Sequence, residues 1–158
     1  MRVLGKAGGD GWVTRRLATE PVMLCASPAY LNAHGSPTKL EDLALHRLLS
    51  ASAAAHSTAM GLPCQSQTHQ IAGTIQLRSN DPQILLVATL LGNGIACVPA
   101  RFIAKELETG ALMAVLPHLP LLPESINAAY APYGLGSHAA RVFLEFLIDR
   151  VELDQVTH

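Results

Sequence analysis

A chain of 158 residues with 49% hydrophobic and only 15% charged side chains is long enough to bury a real core and must keep much of its length inside one. With 11 Lys and Arg against 12 Asp and Glu, its formal net charge of -1 supplies no basic field for a phosphate backbone and excludes direct nucleic-acid binding by this chain. Three cysteines, Cys25, Cys64 and Cys97, widely spaced and without C-x-x-C, exclude a disulfide framework and a zinc site and fit a reducing cytoplasm.

In chain order, residues 1–10 carry Arg2 and Lys6 but no apolar stretch, so no secretory signal is expected. Residues 21–26 form a short apolar strand, after which Ser27 as N-cap and Pro28 at the first turn start a helix over residues 29–33. Thr38 and Glu41 have capping-box spacing and predict a second short helix before Leu43 and Leu45. Residues 47–51 read as a buried strand, and residues 52–70, rich in Ala, Ser, Gln and His, as a loop with a marginal strand near Cys64.

Ile71, Gly73, Ile75 and Leu77 then fall on one face of a half-buried strand. Asp81 caps and Pro82 opens a helix to Leu91, which Gly92 terminates. Gly92, Asn93, Gly94 and Pro99 break the uncharged stretch between Asp81 and Arg101 into helix, turn and strand, which argues against a membrane span. Residues 95–99 are a buried strand, 101–108 a helix ended by Gly110, 112–116 a strand and 126–131 another. The last element, residues 137–151, puts Ala139, Val142, Phe143, Phe146 and Leu147 along one helical face that needs a sheet to lie on. The alternation predicts an α/β fold with a parallel or mixed sheet covered on both faces.

Chemistry-bearing patterns are sparse. Gly134, Gly136 and Ala139 spell G-x-G-x-x-A, but Pro132 disturbs the strand exit and no further strand with a ribose-binding acid is expected to follow, so the string reads as a turn ending in a Ser137 N-cap. Cys25, Cys97 and Ser27 are nucleophiles by type, yet none sits in a G-x-S-x-G elbow, and the two cysteines lie in apolar strands as inert hydrophobes. The seven histidines lack metal-ligand spacing, and Glu41, Asp42, Glu106 and Glu108 read as helix faces rather than a carboxylate pair. These patterns point to a binding module rather than an enzyme, with no metal and no cofactor. Helix N-termini after strands, at Ser27 and Pro28, at Asn80, Asp81 and Pro82, and at Ser137, are the candidate sites for an anion.

Several ordered strings carry a resemblance. Arg15-Arg16-Leu17, then Val22 through Leu31, His34-Gly35-x-Pro37 and Asp42-Leu43-x-x-His46, resemble the middle of the effector-binding domain of LysR-type transcriptional regulators. Ser79-Asn80-Asp81, Leu91-Gly92-x-Gly94-Ile95-Ala96-x-Val98-Pro99 and Gly110-x-Leu112-x-x-Val115-Leu116-Pro117 continue it, as does the closing strand with Tyr130 and the helix from Arg141.

The resemblance implies a periplasmic-binding-protein-like (type 2) fold with a complete second lobe over residues 29–119 and, in residues 1–28 and 120–158, a remnant of lobe one with the crossover strands. It implies a cytoplasmic, dimeric sensor of a small, anionic metabolite, with no membrane partner and with DNA contacted only through a winged helix-turn-helix that these residues do not include. A stand-alone solute-binding module or an enzyme of the same fold is the alternative. Family effector contacts fall on Ser27, Pro28, Ser79, Asn80, Asp81, Val98 and Pro99, and any retained site is expected to centre on Ser27 and Asn80.

Overall fold

The computed structural model describes residues 13–51, 59–64, 67–130 and 138–156. In chain order these form β1 (Val13–Glu20), β2 (Val22–Ala26), α1 (Pro28–His34), a 3-10 turn (Leu40–Leu45), β3 (Arg47–Ser50), β4 (Ala59–Cys64), β5 (Gln67–Ala72) and β6 (Thr74–Arg78). There follow α2 (Pro82–Leu90), β7 (Ile95–Pro99), a second 3-10 turn (Ala100–Phe102), α3 (Ala104–Glu108), β8 (Met113–Val115), β9 (Glu124–Tyr130) and α4 (His138–Val156). The chain divides into two units, Pro21–Pro123 and the remainder.

The larger unit is built on a five-stranded sheet in the order β6-β3-β7-β2-β8. It is mixed, as the alternation of elements predicts: β3 runs parallel to β6 and β7, while β2 is antiparallel to both β7 and β8. Strand period two sends alternate residues to opposite faces. Leu24, Ala26, Leu48, Ile95 and Val115 join Tyr30, Leu31, Leu43 and the β4–β5 residues Met60, Leu62 and Ile71 on one side. Cys25, Leu49, Ala96 and Val98 meet Leu85, Leu86 and Ala88 of α2, with Ile103 and Leu112, on the other. Burying this much aliphatic surface, at roughly 25 cal/mol per Å² removed from water, is what holds the layers together.

Caps follow the sequence in part. Ser27 Oγ accepts the Tyr30 N–H at 3.3 Å, and Asp81 Oδ1 accepts the Gln83 N–H at 2.8 Å, each with Pro in the first turn. The box expected from Thr38 and Glu41 is displaced by one residue. Asp42, not Glu41, accepts the Thr38 N–H and hydroxyl, both at 2.9 Å, and the Lys39 N–H at 3.2 Å, because the N-cap is Lys39 and its third residue on is Asp42. Those bonds, led by the Thr38 amide and assisted by the Lys39 charge, hold the Asp42 carboxyl below its ordinary value.

Where a loop with a marginal strand near Cys64 is expected over residues 52–70, that strand is β4, and the described residues form an antiparallel hairpin, β4 with β5, in register from Ala59↔Ala72 to Cys64↔Gln67. Met60, Leu62 and Cys64 are buried while Gly61 faces out, a period-two pattern that Gly61 and Pro63 disguise. Pro63 is tolerated because a two-stranded sheet is all edge. The single strand expected through Ile71 and Leu77 is divided at Gly73 into β5 and β6, and the helix expected over residues 101–108 is divided at Ile103.

In the smaller unit β1 pairs antiparallel with β9, from Val13↔Tyr130 to Glu20↔Glu124, with a register shift between Arg16 and Ala18. α4 packs against β1. Among its described residues Leu144 is buried, whereas Val142, Phe143 and Phe146 are about half or more exposed, so the apolar face read from the sequence is left largely uncovered. The Gly134–Ser137 turn lies outside the described residues.

Candidate functional site

Because β3, β6 and β7 run in parallel, their carboxyl ends, Ser50, Arg78 and Pro99, lie along one edge of the sheet. This is where open α/β sheets place ligands, since helix N-termini and loop side chains converge there. Ser50 and Arg78 are direct ladder partners, and the Ser79 N–H donates to the Ser50 carbonyl at 3.0 Å. Val22 opposes Pro99, and the Ala100 N–H donates to the Pro21 carbonyl at 2.9 Å, which closes the edge at β2.

The turn from β6 into α2 is locally self-bonded. The Ser79 hydroxyl accepts the Asp81 N–H at 3.0 Å and donates to the Asp81 carbonyl at 3.4 Å, while the Asp81 carboxylate caps α2. Asp81 therefore already places a negative charge on the helix N-terminus, where an anionic ligand would meet repulsion as well as the dipole. Asn80 is exposed between them.

Ser27 and Pro28 are elsewhere. β2 is antiparallel to its neighbour β7, so its end, and Ser27 after it, lies at the opposite edge from Asn80. Ser27 is buried and its Oγ faces Gly92, past the C-terminal end of α2: a Cβ on Gly92 would lie 3.5 Å away. The nine residues of α2 span roughly 14 Å between the two positions. The expectation of one site centred on Ser27 and Asn80 is corrected accordingly: Ser79, Asn80, Asp81 and Pro99 share an edge, and Ser27 with Pro28 does not join them. Val98 is 1% exposed, its side chain packed under α2, so it has no surface to offer a ligand.

Arg78 escaped the sequence reading. Its guanidinium nitrogen Nη1 is buried and has no hydrogen-bond partner. The available signal was a lone cation closing an otherwise uncharged strand, Thr74-Ile75-Gln76-Leu77, just before a capped helix. A separate groove of about 150 Å³ beside edge strand β8, lined by Leu31, Pro37, Met113, Leu116 and His118, holds no carboxylate, lysine or arginine.

Burial pushes the Cys25 thiol up to about 12, so it stays protonated and unreactive at neutral pH. Among the described residues no group of three or more His, Cys, Asp or Glu is placed to hold a metal, and no helix is long and apolar enough to cross a membrane.

Residues 3–152 match the model of the LysR substrate binding domain. The chain is 32% identical over 136 residues to the HTH-type transcriptional regulator DmlR of Escherichia coli K12, covering 85% of this chain and 44% of that one. It is 29% identical over 117 residues to the HTH-type transcriptional activator AaeR of the same organism, covering 74% of this chain and 38% of that one. The regulatory domain of CrgA from Neisseria meningitidis superposes with a TM-score of 0.70 at 25% identity, covering 93% of this chain and 72% of that one. The regulatory domain of AphB from Vibrio vulnificus gives 0.68 at 25%, covering 90% and 72%. The chain thus spans less than half the length of the regulators DmlR and AaeR, and it aligns with the regulatory part of such proteins. By the extent of the family match and the shared type 2 periplasmic-binding-protein-like fold, this chain belongs to the LysR substrate-binding (effector-binding) domain family.

Proposed function

We propose that this chain senses a small anionic metabolite and acts as the ligand-responsive part of a transcriptional regulator, not as an enzyme. The match of residues 3–152 to the LysR substrate binding domain carries the reading. The relatives are transcriptional regulators, and the buried, protonated Cys25 adds no nucleophile. In this reading Pro21–Pro123 is lobe two, β1, β9 and α4 belong to lobe one and its crossovers, and the ligand contacts come from Ser79, Asn80 and Asp81 at the carboxyl edge. DNA is reached through the helix-turn-helix part for which the relatives are named, and the protein works in the cytoplasm, where its DNA is.

The active form is a homodimer. α2 exposes Ile84, Val87 and Leu91 at 51%, 55% and 74%, an apolar row at helical spacing on the side away from its own core. Ligand binding acts by favouring one arrangement of lobes and protomers through differential affinity. A thermal-shift screen of small organic acids against their neutral amides tests the reading: saturable stabilisation by acids supports it, and a folded protein stabilised by no small molecule contradicts it.

A further inference from the structure

We propose that Arg78 is the residue that reads the effector's charge, and that the effector presents a carboxylate to its guanidinium. This rests on the effector-binding reading and adds to it a residue and a ligand class.

Arg78 ends β6 at the carboxyl edge, paired with Ser50 and followed directly by the exposed Asn80 turn. Its side chain is partly exposed at that edge, while its Nη1 donor is buried without a partner. A guanidinium stays charged in proteins, so such a donor is costly unless something bonds it. Among the described residues no carboxylate does. Residues 43–80 contain no Asp or Glu, which leaves Asp42 and Asp81 as the flanking acids in sequence. Asp42 precedes β3, at the far edge, and its Oδ2 accepts from Thr38 and Lys39. Asp81 is turned to the Gln83 N–H.

A ligand is the partner that the effector-binding reading supplies. A carboxylate matches the planar fork of donors with two parallel charge-assisted bonds, and the Asn80 amide stands close along the chain to add a neutral one. Charge recognition thus comes from Arg78 rather than from the end of α2, whose first free N–H is taken by Asp81.

Acetate titrated into ¹⁵N-labelled protein, with acetamide and chloride as controls, tests this. The expected result is saturable shifts at the Ser79, Asn80, Asp81 and Gln83 amides with acetate alone. Arg78→Met, which keeps the aliphatic stem, should weaken acetate at least about tenfold, and Arg78→Lys less. Because Arg78→Met removes an unpaired buried donor, the empty protein should melt at the same temperature or higher, whereas a structural arginine would lower it. Acetate shifts that persist in Arg78→Met, or a lowered melting point in that variant with acetate affinity intact, overturn the proposal. If neutral compounds stabilise the protein while acetate does not bind, the proposal fails and the effector reading stands; if nothing binds, both fail.

Discussion

The Tyr30 hydroxyl lies 3.2 Å from Nδ1 of His46 and accepts the Arg47 amide N–H at 2.9 Å, which leaves its own proton free to be donated to the neutral imidazole that burial favours. Both side chains are buried, and Tyr30 also stacks on His34 with ring centroids 4.4 Å apart. An imidazole that accepts at Nδ1 is neutral. Burial first, then the nearby His34, lower the His46 pKa below 6.5, with Asp42 acting the other way.

The folded protein therefore binds fewer protons than the unfolded chain between the ordinary value and the lowered one. Stability contributed by neutral His46 is complete above 6.5 and is lost as pH falls through that window. Denaturation measured between about pH 7.5 and 5 should show stability falling on the acid side, and His46→Gln should flatten that fall. An acid-side slope unchanged in the variant contradicts the Tyr30–His46 account.

Gly94 has φ +152, and a Cβ there would collide with the carbonyl oxygen of Arg47, where the turn into β7 passes the start of β3. Gly94→Ala should destabilise by about 2–4 kcal/mol, because the obstacle is backbone and cannot rotate away. Chemical denaturation measures it, and a change below about 0.5 kcal/mol would show that the approach is relaxed in solution.

The architecture was legible in the sequence wherever local signals and burial agreed. Ser27, Pro28, Asp81 and Pro82 mark helix starts by side-chain chemistry alone, and the buried runs of β2, β3 and β7 announce themselves by continuous apolarity. β4 showed only as a marginal strand near Cys64 because Gly61 and Pro63 occupy its outward positions, and β1 was hidden because its first four residues are exposed and polar apart from Val13. The site was half legible. A cap at Ser27 and a cap at Asp81 look alike in sequence, and only the antiparallel placement of β2 against β7 puts them at opposite edges. Arg78 was missed because its significance lies in what it fails to touch, which no linear pattern records.

Val87 lies at the centre of the exposed row on α2 and is 55% exposed. Val87→Glu keeps helix propensity and should leave monomer stability within about 0.5 kcal/mol while weakening self-association at least about tenfold. Sedimentation equilibrium separates the two effects; unchanged association would move the interface off α2.

With a net charge of -1, the isolated chain should give no sequence-preferring mobility shift with duplex DNA. A specific shift by the tag-free chain would mean that these residues themselves read DNA.

The most direct measurement of the central claim is affinity-selection mass spectrometry of the purified chain against a mixture of small organic acids and their amides. The account predicts that acids are retained, are released chemically unchanged, and are no longer retained by Arg78→Met. Conversion of a retained compound to product, or retention of amides in preference to acids, would contradict it.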